Sequence, residues 1–207
     1  MNPYLVVEEL EKRISEWAGA PYGVAVESCT AAIFLSLQYC KHKGMWIKSQ
    51  PPHISIPSHT YPGVPCSIIH TGLKVEFENI EWEGEYQLKY LNIWDAALRF
   101  RKNMYHGGFQ CISGHIKKIL NVGRMGMILL DDKEAYDWLK KARFDGRNAV
   151  PLKEDYFTQL GWNMYLSPSD AARAIQIFEV IRDKNLPDLK VSDQKYADLS
   201  QFKIYTQ

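Results

Sequence analysis

An α/β domain with a mostly parallel central sheet is the fold class this sequence predicts, and three observations carry the prediction. β-rich runs alternate with segments of helical spacing between residues 3 and 182. The order strand, polar turn, helix recurs along the chain. The 207 residues, 46% hydrophobic and 24% charged, suffice for one sizeable core and at most a small appendage.

The elements follow in order. Between Pro3 and Trp17 the apolar residues Val6, Val7, Leu10, Ile14 and Trp17 recur at three- and four-residue spacing, and Gly19 marks the stop, so an amphipathic helix is expected. Tyr22 to Glu27 reads as a strand, Ser28-Cys29-Thr30 as a polar turn, and AAIFLSLQYC as a helix running to about Lys43. His53 to Ser58 is the next strand; it leads through HTYPG into an apolar helical segment ending near Thr71-Gly72. Further strands are expected at Lys74 to Asn79, Lys89 to Trp94, Phe109 to Ser113 and Gly126 to Asp131. A helix from Asp132 to about Phe144, a loop to about Ser169 and a helix from Pro168 to Arg182 complete the pattern. The last 25 residues are polar and weakly patterned, which divides the chain into a domain of residues 1–182 and a short tail of residues 183–207.

Composition excludes several classes. Twenty-five basic against twenty-four acidic residues leave a net charge of +1, so neither a nucleic-acid backbone nor an anionic membrane is the expected partner. The N-terminus mixes charges into its apolar positions and no run of about 18 apolar residues occurs, which predicts a cytoplasmic protein. Cys29, Cys40, Cys66 and Cys111 lack a CxxC pairing and read as reduced thiols, with neither zinc nor a disulfide framework expected.

Four polar clusters fall after strands or in loops, where a parallel sheet gathers ligands. Ser28-Cys29-Thr30-Ala31-Ala32 sits at a strand-to-helix junction, where free amides and a hydroxyl can hold a phosphate or simply cap the helix. Asp95 closes the run that begins at Lys89 and opens Asp-Ala-Ala, either as a helix cap or as a partner for a buried cationic ring nitrogen. Ser113 precedes Lys118 by five residues, ahead of Gly123-Arg124-Met125-Gly126; adjacent lysines are ordinarily solvated. Gly161-Trp162-Asn163 places an asparagine among aromatics, which alone marks a capped turn.

In order and spacing, these clusters together resemble the DegT/DnrJ/EryC1/StrS family of pyridoxal-phosphate-dependent sugar aminotransferases, from about Tyr4 to Arg182. The resemblance implies the large domain of the aspartate-aminotransferase-like fold, fold type I. It implies a cofactor phosphate held by Thr30, the N–H of Ala31 and Ser113, Tyr61 stacked on the ring, and Asp95 on the pyridine nitrogen. Lys118 would carry the Schiff base, and Asn163 would reach the phosphate of a neighbouring subunit in a homodimer with shared sites. The implied activity moves an amino group, from glutamate, to a keto-sugar carried on a nucleotide. A cofactor-binding protein of little turnover, or another pyridoxal-phosphate reaction on an amino acid or nucleotide-linked substrate, are the alternatives.

The chain also departs from the family pattern. Leu98 stands where Gln or His commonly follows Asp-Ala-Ala. Arg124 and Met125 interrupt a turn that is usually Gly-Glu-Gly-Gly, so the loop is expected to differ or to force an unfavourable φ on Met125. The stretch from Asp95 to Ser113 looks shortened, and the family's smaller C-terminal domain looks largely absent. Retention of Lys118 argues against the dehydratase branch, where histidine replaces it.

Overall fold

A computed structural model of the chain describes residues 2–45 and 53–206. Local sequence accounts for the helix boundaries. Helix α1 (Leu5–Ala18) ends where Gly19 turns left-handed at φ +82 and its N–H reaches back to Ser15 and Glu16 carbonyls. Helix α2 (Cys29–His42) starts at Ser28, whose hydroxyl accepts from the Ala31 N–H. A short α3 (Gly63–His70) follows, and α4 (Lys133–Ala142) starts at Asp132, which accepts from the amides of Glu134 and Ala135. Helix α5 (Pro168–Ile181) combines a Ser167 cap with proline in its first turn.

The strands are β1 (Tyr22–Val26), β2 (His53–Pro57), β3 (Lys74–Glu78), β4 (Tyr86–Leu88), β5 (Ile93–Ala96), β6 (Phe109–Ser113) and β7 (Gly126–Leu130). A five-stranded sheet has the order β1-β7-β6-β5-β4, and β2 and β3 form a separate parallel pair. The larger sheet is mixed. β5 and β6 are parallel, whereas β7 runs antiparallel to both β6 and β1, and β4 runs antiparallel to β5. The reason is connection length: the 12 residues between Ser113 and Gly126 hold a loop without a crossover helix, and four residues join β4 to β5. One expected strand moves as a result. Lys89 to Asn92 form a turn with Tyr90 at φ +73, and the strand begins at Ile93, so Asp95 lies within β5 and not beyond its end. The turn contains neither Gly nor Pro, so nothing local announced it.

The sheet is covered on both faces. Cross-strand register places Val24, Ile128, Cys111, Asp95 and Tyr86 in one row. Its apolar members pack on the α2 and α4 side, while Ala25, Met127, Ile112 and Ala96 face α1 and α5. The exposed edge of β1 is closed without another strand. Glu11 of α1 accepts the Ala25 N–H at 2.8 Å, and Arg143, paired to Glu11, donates to the Ala25 carbonyl. Lys140 holds the second Glu11 oxygen at 2.7 Å, so this buried carboxylate is fully compensated.

Residues 188–205 run as a strap over the β4–β5 edge. Leu189 exchanges backbone hydrogen bonds with Gly84 and Leu98, the Val191 N–H donates to Trp82, and the Leu199 N–H donates to Ser58. Asp188 pairs with Arg99 at 2.8 Å, while Val191 and Leu199 are buried. The weak patterning of this stretch therefore conceals an ordered segment fixed mainly through backbone contacts.

At the end of β7, a Cβ on Gly126 would collide with the backbone of Ser28 and Cys29. Gly126→Ala is expected to destabilise the chain by about 1–3 kcal/mol and to lower Tm by roughly 2–4 °C for each kcal/mol. A thermal melt unchanged from wild type would show that the Ser28 turn can move aside.

Candidate cofactor site

The end of the sheet nearest the start of α2 brings together most of the polar clusters. Asp95 is only 3% exposed, because the strand period turns it toward α2 between the outward Trp94 and the opposite-facing Ala96. Its carboxylate accepts from the Ala97 N–H at 3.0 Å and lies 3.8 Å from the Cys29 thiol. Tyr86, its register partner on β4, turns its hydroxyl to Thr60 at 2.7 Å and lowers the Asp95 pKa from beside it. Burial raises the Asp95 carboxyl above its ordinary range, against the lowering effect of the Ala97 and Tyr86 contacts and of Lys118. Cys29 also donates to the Cys111 carbonyl at 3.4 Å, and burial first, then Asp95, push its thiol well upward.

Lys118 lies on the turn between β6 and β7, where its N–H donates to the His115 carbonyl. Its Nζ is half-buried, 2.7 Å from Gln194 Oε1 and 3.0 Å from the Tyr196 hydroxyl, both on the strap. Desolvation lowers its pKa, with Asp95 and Cys29 opposing. Lys117, by contrast, is exposed. The two lysines that sequence placed side by side are thus separated by environment.

The remaining positions fall as follows. Ser113 ends β6, is 8% exposed, and pairs in register with Gly126, which itself touches the Ser28 turn. Its hydroxyl accepts from the His115 N–H at 3.3 Å. Thr30 stands in the first turn of α2 against Gly63, whose added Cβ would lie 2.7 Å from its hydroxyl. The Ala31 N–H is taken by the Ser28 cap, and helix geometry leaves the amides of Cys29 and Thr30 without intrahelical acceptors. Tyr61, 55% exposed before α3, makes an edge contact with Tyr196 at 6.4 Å between centroids. Asn163 is exposed and bonded to Asp145 at 2.9 Å, in a loop whose backbone bridges Phe144. It faces outward from the chain that carries it. Sequence reasoning missed Tyr86, Gln194 and Tyr196.

The departures also find their places. Leu98 is fully buried in the α2-side core. Arg124 is solvent-facing and pairs with Glu27 at 2.9 Å. Met125 is buried and takes no positive φ; the turn's left-handed residue is Gly123, at φ +135. Gly114 makes room for Met125, since a Cβ there would approach the methionine Cβ to 2.8 Å.

The donor set fits pyridoxal phosphate. An amine biased toward its neutral form, a desolvated carboxylate with no ion-pair partner among the described residues, an aromatic ring, and hydroxyls beside a helix N-terminus match an aldehyde, a pyridine nitrogen, a ring face and a phosphate, respectively. A groove of about 440 Å³ elsewhere, lined by Tyr4, Glu8, Tyr136, Arg147 and Tyr165, includes none of the predicted site residues.

Comparisons with known proteins bear on the first part of the chain and on its fold. The profile of the DegT/DnrJ/EryC1/StrS aminotransferase family matches residues 2–96, a stretch that holds Ser28 to Ala32, Tyr61 and Asp95. Over 75 residues the chain is 36% identical to the spore coat polysaccharide biosynthesis protein SpsC of Bacillus subtilis (strain 168), covering 36% of this chain and 18% of that protein. AtS13 from Actinomadura melliaura superposes with a TM-score of 0.70 at 15% identity, over 85% of this chain and 60% of its own. The sugar aminotransferase CalS13 from Micromonospora echinospora gives 0.67 at 18% identity, over 84% and 60%. The chain therefore spans about 60% of the length of these two structures. The fold is that of a fold type I large domain, with the mixed sheet described above.

The raised Asp95 carboxyl has a consequence for stability. A folded-state pKa above the ordinary 3.8 means that stability is full below that value and is lost as pH rises through the folded one. Asp95→Asn removes the loss. In protein freed of small molecules it is expected to be more stable than wild type near neutral pH, by on the order of 1 kcal/mol, with the gap closing on acidification. A wild type that is the more stable of the two in alkaline melts would show that the chain already compensates the charge.

Proposed function

We propose that this chain, which carries DegT/DnrJ/EryC1/StrS sequence over residues 2–96 on a fold type I large domain, is a pyridoxal-phosphate-dependent aminotransferase acting on a keto-sugar nucleotide, with glutamate as donor. The observation that carries the reading is the half-buried Lys118 amine and the buried Asp95 carboxylate within one site, each pushed by desolvation toward its neutral form. Pyridoxal phosphate, when bound, supplies an electron sink conjugated to the substrate nitrogen.

The chain's own residues would do the rest. Lys118, with its proton affinity lowered, presents a nucleophilic amine and afterwards can move a proton at the reacting carbon. Asp95 supplies the fixed negative charge that keeps a ring nitrogen protonated, at a point where low dielectric strengthens the pairing. Tyr61 offers the stacking face. Ser28, Thr30 and Ser113 surround the start of α2, whose dipole favours a phosphate; the Ala31 N–H contributes there only if it is shared with its cap.

The sugar substrate is supported by relatives: CalS13 is a sugar aminotransferase, and SpsC acts in polysaccharide biosynthesis. The glutamate donor rests on the family resemblance alone. The dimer is supported by the outward aim of Asn163 and by the neighbouring exposed Leu152, Tyr156, Phe157 and Leu160. A two-fold interface would let Asn163 of the partner subunit complete each phosphate site.

Borohydride reduction of protein loaded with pyridoxal phosphate, followed by peptide mass spectrometry, is expected to place the adduct on Lys118. It should vanish in Lys118→Ala and persist in Lys117→Ala. An adduct on another lysine would refute the site. Addition of glutamate should bleach the yellow of the loaded protein; a colour that no amino donor changes would instead indicate a binding protein with little turnover.

Mixing inactive Lys118→Ala with inactive Asn163→Ala chains should restore part of the activity, because a heterodimer holds one site with both residues intact. A chain that is monomeric at micromolar concentration and still binds the cofactor tightly would remove the shared-site arrangement.

A further inference from the structure

The strap brings two side chains onto the Lys118 amine that no motif anticipated. Gln194 Oε1 accepts from Nζ at 2.7 Å, the Tyr196 hydroxyl lies 3.0 Å away, and the same Nζ is 5.6 Å from the Tyr196 ring centroid. Between these two residues Lys195 is left-handed, at φ +54. A non-glycine residue holds that conformation only where its surroundings impose it, and such residues cluster at functional sites. The turn is imposed from both sides. Upstream, the Leu189 and Val191 backbone bonds and the Arg99–Asp188 pair fix the strap; downstream, the Leu199 N–H is held by Ser58, close in sequence to Tyr61. Tyr196 completes the contact by meeting the Tyr61 ring edge-on, at 63° between planes.

We propose that Tyr196, assisted by Gln194, is the positioning residue for the Lys118 amine, and that the Gln194–Tyr196 turn of the strap forms one wall of the cofactor site. The proposal rests on the cofactor reading given above for its functional meaning, but the contact itself does not. A lysine amine on a flexible four-carbon stem has no preferred direction of its own, so its aim must come from its hydrogen-bond partners. The two partners differ in kind. Gln194 Oε1 can only accept: it takes an N–H of the ammonium or of the neutral amine, and gives nothing to the lone pair of the neutral amine. The tyrosine hydroxyl accepts from the ammonium and donates to the neutral amine, and so it holds Nζ in both protonation states. Burial, followed by Asp95 and Cys29, raises the Tyr196 hydroxyl above its ordinary range, so it keeps its proton for that purpose.

The test reads Lys118 directly, first without cofactor. The charged and titratable groups around it are Asp95 from β5, Cys29 from α2, Lys117 from its own turn and Tyr196 from the strap. In the cofactor-free chain, the rate of acylation at Lys118 is followed against pH by peptide mass spectrometry, with exposed Lys117 as internal reference. Tyr196→Phe keeps the ring and removes the hydroxyl. The ammonium then loses an acceptor, and Lys118 should label about three-fold faster or more near neutral pH. Gln194→Leu should act in the same direction, and Gln194→Glu in the opposite one, because it sets a carboxylate beside the ammonium. A general loosening of the fold would speed all three variants alike.

The second measurement is pyridoxal phosphate binding, read by absorbance, which should weaken about five-fold or more in Tyr196→Phe. Labelling of Lys118 within two-fold of wild type at every pH would overturn the proposal. So would binding that is equal or tighter, since that would make the tyrosine an obstacle and not a support. If wild-type protein forms no adduct at Lys118, the aminotransferase reading fails, while the labelling result still reports on the contact.

Discussion

The backbone of Gly126 lies directly against the Ser28 carbonyl and the Cys29 amide, leaving no space for a side chain between them. This approach has its origin in topology. β7 sits between β1 and β6, pairing Gly126 with Val26 on one side and with Ser113 on the other. The start of α2, the end of β6 and the turn carrying Lys118 therefore meet around one residue. Hydroxyls that lie 85 positions apart in sequence, Ser28 and Ser113, become neighbours of the same strand end. Had β7 paired elsewhere, the polar clusters would be separate caps and turns with no common chemistry.

Around that junction the electrostatics oppose stability. Asp95 and Lys118 are both desolvated, and burial is the largest influence on each, driving the carboxyl up and the amine down. Their mutual attraction opposes those shifts without being the dominant influence. Glu11 offers a contrast within the same fold. It is equally buried, yet Arg143, Lys140 and the Ala25 amide satisfy it, and it serves the edge of β1. One buried carboxylate is compensated by the chain, and the other has thiol and amide partners with no ion-paired cation among the described residues. Such a difference is what separates a structural ion pair from a site built to receive a charge.

The strap shows how much of a site can rest on contacts that leave no trace in composition. It is held by main-chain hydrogen bonds to Gly84, Leu98, Trp82 and Ser58, and most of those groups are indifferent to side-chain identity. Val191 and Leu199 are its buried apolar anchors, too few and too far apart to make a period. Its backbone is kept close by Gly84, where a Cβ would meet Asp188. Leu98, a departure from the Gln or His of the family pattern, is a core residue whose carbonyl receives the strap.

The sequence by itself determined the helices, their caps and five strands, with a sixth shifted to Ile93–Ala96, because those depend on interactions within a few residues. It also determined which residue types lie in each cluster, and the spacing of Ser113 and Lys118 was legible because one ends β6 and the other lies on the turn that follows it. Tertiary structure alone decided the antiparallel insertion of β7, the place of Asp95 inside a strand, and the short β4 that supplies Tyr86. It alone separated Lys118 from Lys117 by burial, and brought Gln194 and Tyr196 onto the amine. The physical reason is common to all of these. Each depends on which distant backbone pairs with which, and on how much water that pairing removes, and neither quantity is written in any local stretch of chain.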